Sequence, residues 1–286
     1  MSGFNFGGLA EEESAPERSS TIIVPVPYDG TTSYRSGARD GPLAIINASR
    51  FIELYDEETC RDISKKGIAT LGELEPNASS PEAMIDSVHD ACLPFFKQGK
   101  KVVILGGEHS VSLGGIKAAR GGQESFSILQ FDAHADLRDS YHSTPFSHAC
   151  VMRRALEYNP IEQVGIRSLS EEEAVFIRAE GLKPFYAQYT LNNRDLVLEE
   201  LVKRLLPKVY LTIDLDVLDP SIMPSVGTPE PGGLGWYDLL FLLRHLAKEK
   251  DIIGFDVVEL APQPGNIAPD FLAAKLVYKL LGYMWP

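Results

Sequence analysis

The stretch Leu129-Gln-Phe-Asp-Ala-His-Ala-Asp136 is central to the fold, because an apolar run ends there in two acids and a histidine. Asp132, His134 and Asp136 are spaced by two. In extended backbone this spacing places all three side chains on one face as the strand ends. Carboxylates held together repel one another and are costly to desolvate unless a positive charge lies between them. A divalent metal ion is the simplest such charge, so we expect further ligands elsewhere in the chain.

Apolar strands alternate with helices on both sides of this stretch. We expect strands at residues 21–27, 101–107, 125–131, 161–166, 183–187, 209–216 and 252–260. We expect helices at about 42–49, 81–98, 111–119, 147–157, 170–180, 193–206, 236–249 and 270–281. Most of the strands are continuous apolar runs, as in parallel sheets buried on both faces. The sequence therefore predicts a single α/β domain of three layers, with a roughly eight-stranded parallel sheet flanked by helices.

The composition is that of a soluble globular protein, with 44% apolar and 23% charged residues among 286. A net charge of −13 argues against nucleic acid or anionic membrane as a partner. The three cysteines, Cys60, Cys92 and Cys150, form no CxxC pair, so we expect neither a disulfide framework nor a thiolate metal site. No signal segment or long apolar run is present, which favours a cytoplasmic location. Residues 1–20 predict a flexible or partner-docked arm ahead of a catalytic domain at 21–286.

Ionisable residues follow four of the predicted strands. They are His109 after the 101–107 strand, the opening motif, Asp214 with Asp216, and Glu259. Each residue alone has an ordinary structural explanation, such as a loop histidine or a turn-capping acid. Sites in open α/β sheets form beyond the carboxyl ends of the strands, so these groups should meet. Burying four aspartates together without cations would cost several kcal/mol for each, which makes metal binding the stronger interpretation.

The ligand types narrow the choice of metal. Carboxylates with two imidazoles and no thiolate suit Mn²⁺, while Fe²⁺, Co²⁺, Mg²⁺ and Zn²⁺ remain open. Six ligands are too many for one tetrahedral zinc ion. They suit two ions about 3.5–4 Å apart that share bridging carboxylates and a hydroxide.

The chain resembles the ureohydrolases, the family of arginase and agmatinase, at motifs spread over most of its length. The matching motifs are Gly37-Ala-Arg-Asp-Gly-Pro42, Gly106-Gly-Glu-His-Ser110, Phe131-Asp-Ala-His-Ala-Asp136, Thr212-Ile-Asp-Leu-Asp-Val-Leu-Asp-Pro-Ser221, Gly227-Thr-Pro-Glu-Pro-Gly-Gly-Leu234 and Asp256-Val-Val-Glu-Leu-Ala-Pro262. Chance agreement of all these motifs in order is negligible. The resemblance implies an arginase-like fold, two Mn²⁺ ions per subunit, and a homo-oligomer that is a trimer or a hexamer.

The resemblance also implies a role for each residue of the site. The metal ligands are His109, Asp132, His134, Asp136, Asp214 and Asp216, with Asp132 and Asp214 shared by both ions. Glu259 matches the carboxylate that binds the substrate guanidinium, and His148 matches a mobile proton-shuttling histidine. A metal-bridging hydroxide, in hydrogen-bond reach of Asp136, then attacks the guanidinium carbon, and His148 helps to protonate the departing amine. For His148 the structural alternative is a surface histidine at the start of a helix.

The loop at 137–147 bears on the substrate. It has no asparagine, whereas arginine enzymes of the family bind the amino-acid carboxylate with asparagine and serine there. Glu108 and the segments at 147–154 and 228–234 look more like agmatinase, so we expect agmatine to be cleaved to putrescine and urea, with Ser147 and Arg138 also near the substrate. Arg138 leaves open a carboxylate-tailed substrate (guanidinobutyrate or guanidinopropionate) or arginine, although we favour pairing of Arg138 with Asp139 or a neighbouring acid, away from the substrate.

Two other classes of function are less well supported. A zinc-dependent amide deacetylase on the related fold would keep a single Asp-x-His…Asp set, and the additional His109 and the paired Asp214 and Asp216 argue against it. A binder without activity has little support when all six ligands are present. The expected partner is therefore a small cationic guanidino compound.

Overall fold

The computed structural model of the chain describes residues 4–123 and 125–285. Its strands are β1 (Thr21–Val26), β2 (Tyr55–Asp56), β3 (Arg61–Asp62), β4 (Ile68–Thr70), β5 (Lys101–Gly106), β6 (Ser127–Phe131), β7 (Ile161–Ile166), β8 (Phe185–Tyr186), β9 (Lys208–Asp214) and β10 (Asp251–Val258). Its α-helices are α1 (Glu11–Ser14), α2 (Gly41–Ser49), α3 (Pro81–Lys97), α4 (Ser112–Gly122), α5 (Val151–Ala155), α6 (Glu171–Glu180), α7 (Ala187–Asn192), α8 (Arg194–Arg204), α9 (Trp236–Glu249) and α10 (Ala268–Met284).

Eight of the strands in the described ranges form one parallel sheet in the order β4-β1-β5-β10-β9-β6-β7-β8. The predicted α/β fold is therefore confirmed. The strands β5, β10, β9 and β6 are adjacent at the centre of the sheet, where the register pairs Val257 with Leu105 and with Ile213. Their carboxyl ends lie side by side, and these are the four strands after which the sequence places its ionisable residues.

Alternate residues of the central strands enter two separate apolar cores, one on each face of the sheet. On β5, for example, Val103 and Leu105 join the core that includes residues of α2, α9 and α10. Val102 and Ile104 join the core that includes residues of α3 and α4. Because helices cover both faces, the strands are apolar on both sides, as the sequence indicates.

Several short elements differ from the expectations. The edge strand β4 and the β2–β3 hairpin are additional, and two or three residues are too few for a periodic pattern to show. The helix expected at 147–157 is a 3₁₀ turn at His148–Cys150 followed by α5, and the one expected at 193–206 is α8, with α7 before it. The strand expected to reach residue 216 ends at Asp214, and Leu215–Val217 form a 3₁₀ turn. The helix expected at 170–180 is α6, which begins with a capping box in which Ser170 and Glu173 bond reciprocally.

The segment expected to be a flexible or partner-docked arm is packed on its own domain over residues 4–20, while residues 1–3 lie outside the described part. Phe6 and Leu9 are buried in the core, and the Phe6 amide donates to Thr70 Oγ1 over 3.0 Å. Two apolar side chains in a polar segment are sufficient to hold it, which the composition alone does not reveal. Cys60, Cys92 and Cys150 are free thiols. Among the described residues, no helix is both long and apolar enough to cross a membrane.

Candidate metal centre and active site

The carboxyl ends of three central strands, β5, β6 and β9, bring the six expected ligands together. His109 follows β5, residues 132–136 follow β6, Asp214 ends β9 and Asp216 lies in the next turn. The atoms of two groups lie within 4.8 Å of one another, namely His109 with Asp132 and Asp214, and Asp132 with His134 and Asp216. Asp132 belongs to both groups. Such an arrangement is that of two neighbouring cation sites with a shared carboxylate.

Local hydrogen bonds form each turn in which the ligands lie. Asp132 Oδ1 accepts the amide of His134 over 2.6 Å, and Asp214 Oδ1 accepts the amide of Asp216 over 2.8 Å. Aspartate favours turns of this kind because its side chain bonds to the backbone two residues ahead. The spacing of two therefore brings the acids together in turns just beyond the strands, rather than in extended backbone. Asp136 has a φ of 53°, a left-handed conformation that a non-glycine residue seldom adopts.

The His109 imidazole shows that the cluster fits a metal ion. Its Nδ1 is buried and without a hydrogen-bond partner, yet it lies 3.0 Å from Asp132 Oδ2 and 3.0 Å from Asp136 Oδ2. Its Nε2 lies 2.8 Å from Thr212 Oγ1, whose own hydroxyl donates to Asp256 Oδ1. Since the single proton of Thr212 is given to Asp256, Nε2–H must donate to Thr212. Burial alone would lower the pKa of His109, but Asp132 and Asp136 raise it well above its ordinary value. Nδ1 therefore holds a proton between the carboxylates in the ion-free cluster, and a metal ion that binds there takes the place of that proton.

The pKa values of the cluster describe the same excess of negative charge. Burial, together with Asp132, raises the pKa of Asp136 to about 7. Burial and Asp216 raise the pKa of Asp214 well above its ordinary value. Burial alone would lower the pKa of His134, but Asp216 and Asp132 raise it to about 12. In the absence of an ion, protons on Asp136, Asp214 and His134 therefore offset the negative charge of the cluster, and a divalent cation competes with those protons for the same atoms.

Glu259 lies beside the cluster with one carboxylate oxygen engaged. Its Oε1 accepts the amide of His109 over 2.7 Å, and its backbone amide donates to the carbonyl of Gly107. It lines the same cleft as His109, His134 and Asp214. Burial, with the negative charge of Glu108, raises the pKa of Glu259 to about 8. A buried carboxylate in this state favours a cationic group as its partner.

His148 lines the same cleft and is held by Thr31 and Glu108. Thr31 Oγ1 donates to Glu108 Oε1 over 2.6 Å and lies 3.2 Å from His148 Nδ1. Because the Thr31 proton is given to the acid, Nδ1–H must be the donor, and Nε2 is left without a proton. Burial, with the charges of His109 and His134, lowers the pKa of His148 to about 4. His148 is thus neutral at pH 7.

Of the two further residues expected near the substrate, Arg138 lines the cleft and Ser147 does not. Arg138 lines the cleft, where its guanidinium lies 5.1 Å from the centre of the Tyr141 ring. The favoured pairing of Arg138 with Asp139 or a neighbouring acid is wrong. Asp139 binds Arg154 over 2.6 Å instead, and Arg138 forms no salt bridge within the described residues. Ser147 is buried and directs its hydroxyl at Cys150 Sγ, away from the residues that line the cleft.

The structure adds residues to the site that the sequence does not single out. Thr31 and Thr212 fix the two histidine tautomers, and Asp256 supports Thr212. Arg167 donates to the backbone carbonyls of Asp216 and Glu230 and so links the metal turn to the loop at 227–234. A buried acid within the apolar strand β10 is the one signal that could have indicated Asp256 in advance. For Thr31 and Arg167, polar residues in polar segments, the sequence holds no such signal.

Comparison with known proteins gives a consistent result. The family model described as "Arginase family" matches residues 19–282. A protein of Synechocystis named N(1)-aminopropylagmatine ureohydrolase is 43% identical over 93% of this chain and 89% of its own. The agmatinase of Pyrococcus horikoshii is 36% identical over 91% and 90%, respectively. The crystal structure of agmatine ureohydrolase of Thermoplasma volcanium superposes with a TM-score of 0.89 at 31% identity, covering 99% of this chain and 95% of that one. The chain therefore belongs to the arginase family of ureohydrolases.

Proposed function

We propose that this protein hydrolyses the guanidinium group of a compound built on agmatine and releases urea. The observation that carries the proposal is the location of Glu259, a buried carboxylate, beside two adjoining clusters of histidine and aspartate in one cleft. A carboxylate binds a planar guanidinium by paired hydrogen bonds. One cleft therefore offers a partner for the substrate cation and a place to activate water.

The clusters are proposed to hold two Mn²⁺ ions through His109, Asp132, His134, Asp136, Asp214 and Asp216. When bound, the ions supply Lewis acidity and lower the pKa of water toward neutrality. The donor set suits manganese, because it is mainly carboxylate with two imidazoles and no thiolate. Nδ1 of His109 and both oxygens of Asp132 are directed into the cluster, and this geometry supports the assignment.

The side chains of the cleft have separate proposed roles. Glu259 binds the guanidinium and orients its carbon toward the cluster, and the cation in turn favours the ionised form of Glu259. Asp136 accepts a hydrogen bond from the attacking water. His148, with its Nε2 free of a proton, takes up a proton there and delivers it to the departing amine. Thr31 and Glu108 keep the ring in the tautomer that this transfer needs.

The tail of the substrate distinguishes two candidates. The sequence points to agmatine, and relatives from Pyrococcus horikoshii and Bacillus subtilis are named agmatinase. Relatives named N(1)-aminopropylagmatine ureohydrolase have identities of 43%, 38% and 37%. The higher identity of this group favours the aminopropyl derivative, and we propose it as the preferred substrate. Urea release then leaves aminopropyl-substituted putrescine, and agmatine itself is the second candidate.

A urea-release assay with Mn²⁺ tests this proposal directly. The substrates are N1-aminopropylagmatine, agmatine, arginine and guanidinobutyrate at matched concentrations. We expect the highest kcat/KM with aminopropylagmatine, a lower value with agmatine, and at least about a hundredfold less with arginine, because the loop at 137–147 has no asparagine to bind the amino-acid carboxylate. Urea from none of the four would contradict the hydrolase assignment. Urea from guanidinobutyrate alone would contradict the choice of a cationic tail.

The chain is also proposed to assemble with copies of itself through an apolar groove on α9 and α10. Tyr237, Ile267 and Phe271 are exposed by 79%, 78% and 43% and line this groove together. Contiguous exposed apolar side chains mark interaction sites. Lys275 also lines the groove, and a second copy of a chain with a net charge of −13 can supply an acidic partner for it, whereas Arg244 pairs with Glu58 of its own chain.

Sedimentation of the Ile267→Glu variant tests this assembly. We expect the wild-type protein to be an oligomer and the variant to dissociate, because a charge in an apolar contact must be desolvated. Val175→Glu is the matched control, since Val175 is exposed by 52% on α6, away from the groove, and should leave the oligomer intact. A monomeric wild-type protein would contradict this proposal.

A further inference from the structure

Two buried glutamines lie side by side behind the metal cluster. Gln130 of β6 and Gln163 of β7 are direct partners in the register of the sheet. They are exposed by 0% and 2%, in strands whose other residues are mostly apolar. A buried primary amide is costly unless its donors and acceptor are bonded, so two such amides indicate a specific task at this position.

The hydrogen bonds of the pair fix the orientation of both amides. Gln163 Nε2 donates to the carbonyl of Ala135 over 2.8 Å and to Gln130 Oε1 over 2.5 Å. A backbone carbonyl can only accept, so the group that Gln163 directs at Ala135 must be its NH₂. The same NH₂ bonds to the oxygen of Gln130. The nitrogen of Gln130 is therefore directed at Asp132 Oδ2, to which it donates over 2.7 Å.

Each carboxylate oxygen of Asp132 accepts one hydrogen bond. Each oxygen also faces the Nδ1 atom of one histidine. Oδ2 accepts Gln130 and lies 3.0 Å from His109 Nδ1. Oδ1 accepts the amide of His134 and lies 3.6 Å from His134 Nδ1. The two bonds hold the plane of the carboxylate so that one oxygen serves each cluster. Without the bond from Gln130, the carboxylate is able to rotate about its Cβ–Cγ bond, toward one cluster.

We infer that Gln130, oriented by Gln163, is a positioning residue that holds Asp132 as the carboxylate shared between two metal ions. The inference rests on the proposed function, in that it assumes that the clusters bind metal. A neutral amide suits this task better than a cation, because it fixes Asp132 without cancelling the charge that attracts the ions. Residues that orient metal ligands typically change metal affinity by about 10–100-fold when they are replaced.

The test measures Mn²⁺ binding by calorimetry and the exchange-coupled signal of a manganese pair by electron paramagnetic resonance. Gln130→Met keeps the length of the side chain and removes its NH₂ donor. In this variant we expect one Mn²⁺ ion to bind about tenfold or more weakly. We also expect the coupled signal to be lost at Mn²⁺ concentrations that saturate the wild-type protein. Excess Mn²⁺ should restore both the signal and kcat. Gln163→Met removes the hydrogen bond that orients Gln130, so it should show a smaller loss of Mn²⁺ affinity and of the coupled signal. If Gln130→Met does not fold, Gln163→Met provides the test.

Asn159→Leu is the matched control, because it removes another buried amide, one that donates to the carbonyl of Phe126 before β7 begins. It should lower thermal stability but leave Mn²⁺ affinity unchanged. Wild-type affinity for both ions in folded Gln130→Met or Gln163→Met would overturn the inference, as would an equal loss of affinity in Asn159→Leu. A wild-type protein that binds no pair of Mn²⁺ ions would instead contradict the proposed function, so the two failures are distinguishable.

Discussion

At the scale of single residues, tautomers and hydrogen-bond directions determine what the cleft can do. Thr212 and Thr31 each give their one hydroxyl proton to a buried acid, and each therefore accepts from a histidine. His109 therefore directs Nδ1 at the cluster, where a proton or a metal ion can bind, and His148 is left with an unprotonated Nε2. The residue types alone show that histidine and acid are present. They do not show which ring nitrogen is free.

Replacing Thr31 tests the proposed orientation of His148. In Thr31→Val the ring loses its partner at Nδ1, so we expect kcat to fall by about tenfold, with little change in KM and a shifted pH dependence of kcat. Thr190→Val is the control, since Thr190 is an equally buried threonine that bonds to the carbonyl of Tyr186 in α7. Unchanged kcat and an unchanged pH profile in Thr31→Val would show that this hydrogen bond has no part in proton transfer.

Arg138 provides a test of the substrate tail. Its guanidinium lies in the cleft on the Tyr141 ring, and among the described residues no acid forms a salt bridge with it. For a cationic tail Arg138 is repulsive, so Arg138→Gln should raise kcat/KM for agmatine slightly or leave it unchanged, within about threefold. For guanidinobutyrate the same variant should lower any activity by tenfold or more, because a charged hydrogen bond is worth about 1.5–3 kcal/mol. A large loss with agmatine would contradict the cationic tail.

At the scale of elements, the carboxyl ends of β5, β10, β9 and β6 define the site. Their continuous apolar runs can be identified from the sequence, and so can the ionisable residues that follow them. Their order in the sheet cannot be read in the same way, because β10 lies between β5 and β9 only through long-range pairing. The turns beyond the strands are also not predictable from spacing alone. Asp216 lies in a 3₁₀ turn and Asp136 has a positive φ, yet both side chains reach the cluster.

Gly107 shows how closely the segment after β5 is packed. A Cβ atom at Gly107 would lie 1.8 Å from the carbonyl oxygen of Tyr28, a backbone atom that cannot move away cheaply. The Gly107 carbonyl also accepts the amide of Glu259. We expect Gly107→Ala to lower the free energy of unfolding by at least about 3 kcal/mol and to displace Glu259.

Denaturant unfolding of Gly107→Ala measures this effect, and urea release reports on Glu259. Gly72→Ala is the matched control, because no atom lies within 4 Å of a Cβ built there. Its stability should change by less than about 1 kcal/mol. A Gly107→Ala variant as stable as Gly72→Ala would show that the contact with Tyr28 relaxes easily.

At the scale of the whole molecule, the acidic cluster should make the metal-free protein sensitive to pH. The folded protein raises the pKa of Asp136 to about 7, of Glu259 to about 8 and of His134 to about 12. A group with a raised pKa binds its proton more tightly in the folded state, so its contribution to stability is lost as pH rises through that pKa. Asp132 has a lowered pKa, and its contribution is lost only in acid.

Thermal unfolding of the metal-free protein between about pH 5 and pH 9 tests this expectation. The Tm should fall across this range. Protein saturated with Mn²⁺ should show a smaller fall, because the cations stabilise the ionised acids. A metal-free Tm that is constant or rises over the same range would contradict the electrostatic description of the cluster.

The α/β fold class and the six candidate ligands can be predicted from the sequence, because apolar strands followed by ionisable residues form strong local sequence patterns. Docking of residues 4–20 depends on Phe6 and Leu9 reaching a distant core, and the partners of Arg138 and Ser147 depend on loop geometry. Such long-range contacts leave no periodic signal. The sequence also does not predict which guanidino compound is the substrate, because loops rather than strands surround the substrate tail.

The most direct test of the central claim counts Mn²⁺ ions per chain while urea release is measured on the same sample. The protein stripped of metal is titrated with Mn²⁺ and assayed with aminopropylagmatine, alongside Asp214→Asn and the exposed control Asp195→Asn. We predict full activity only at two ions per chain, wild-type behaviour in Asp195→Asn, and at least a hundredfold lower activity in Asp214→Asn. Full activity with one ion or none, or in Asp214→Asn, would contradict the two-metal site.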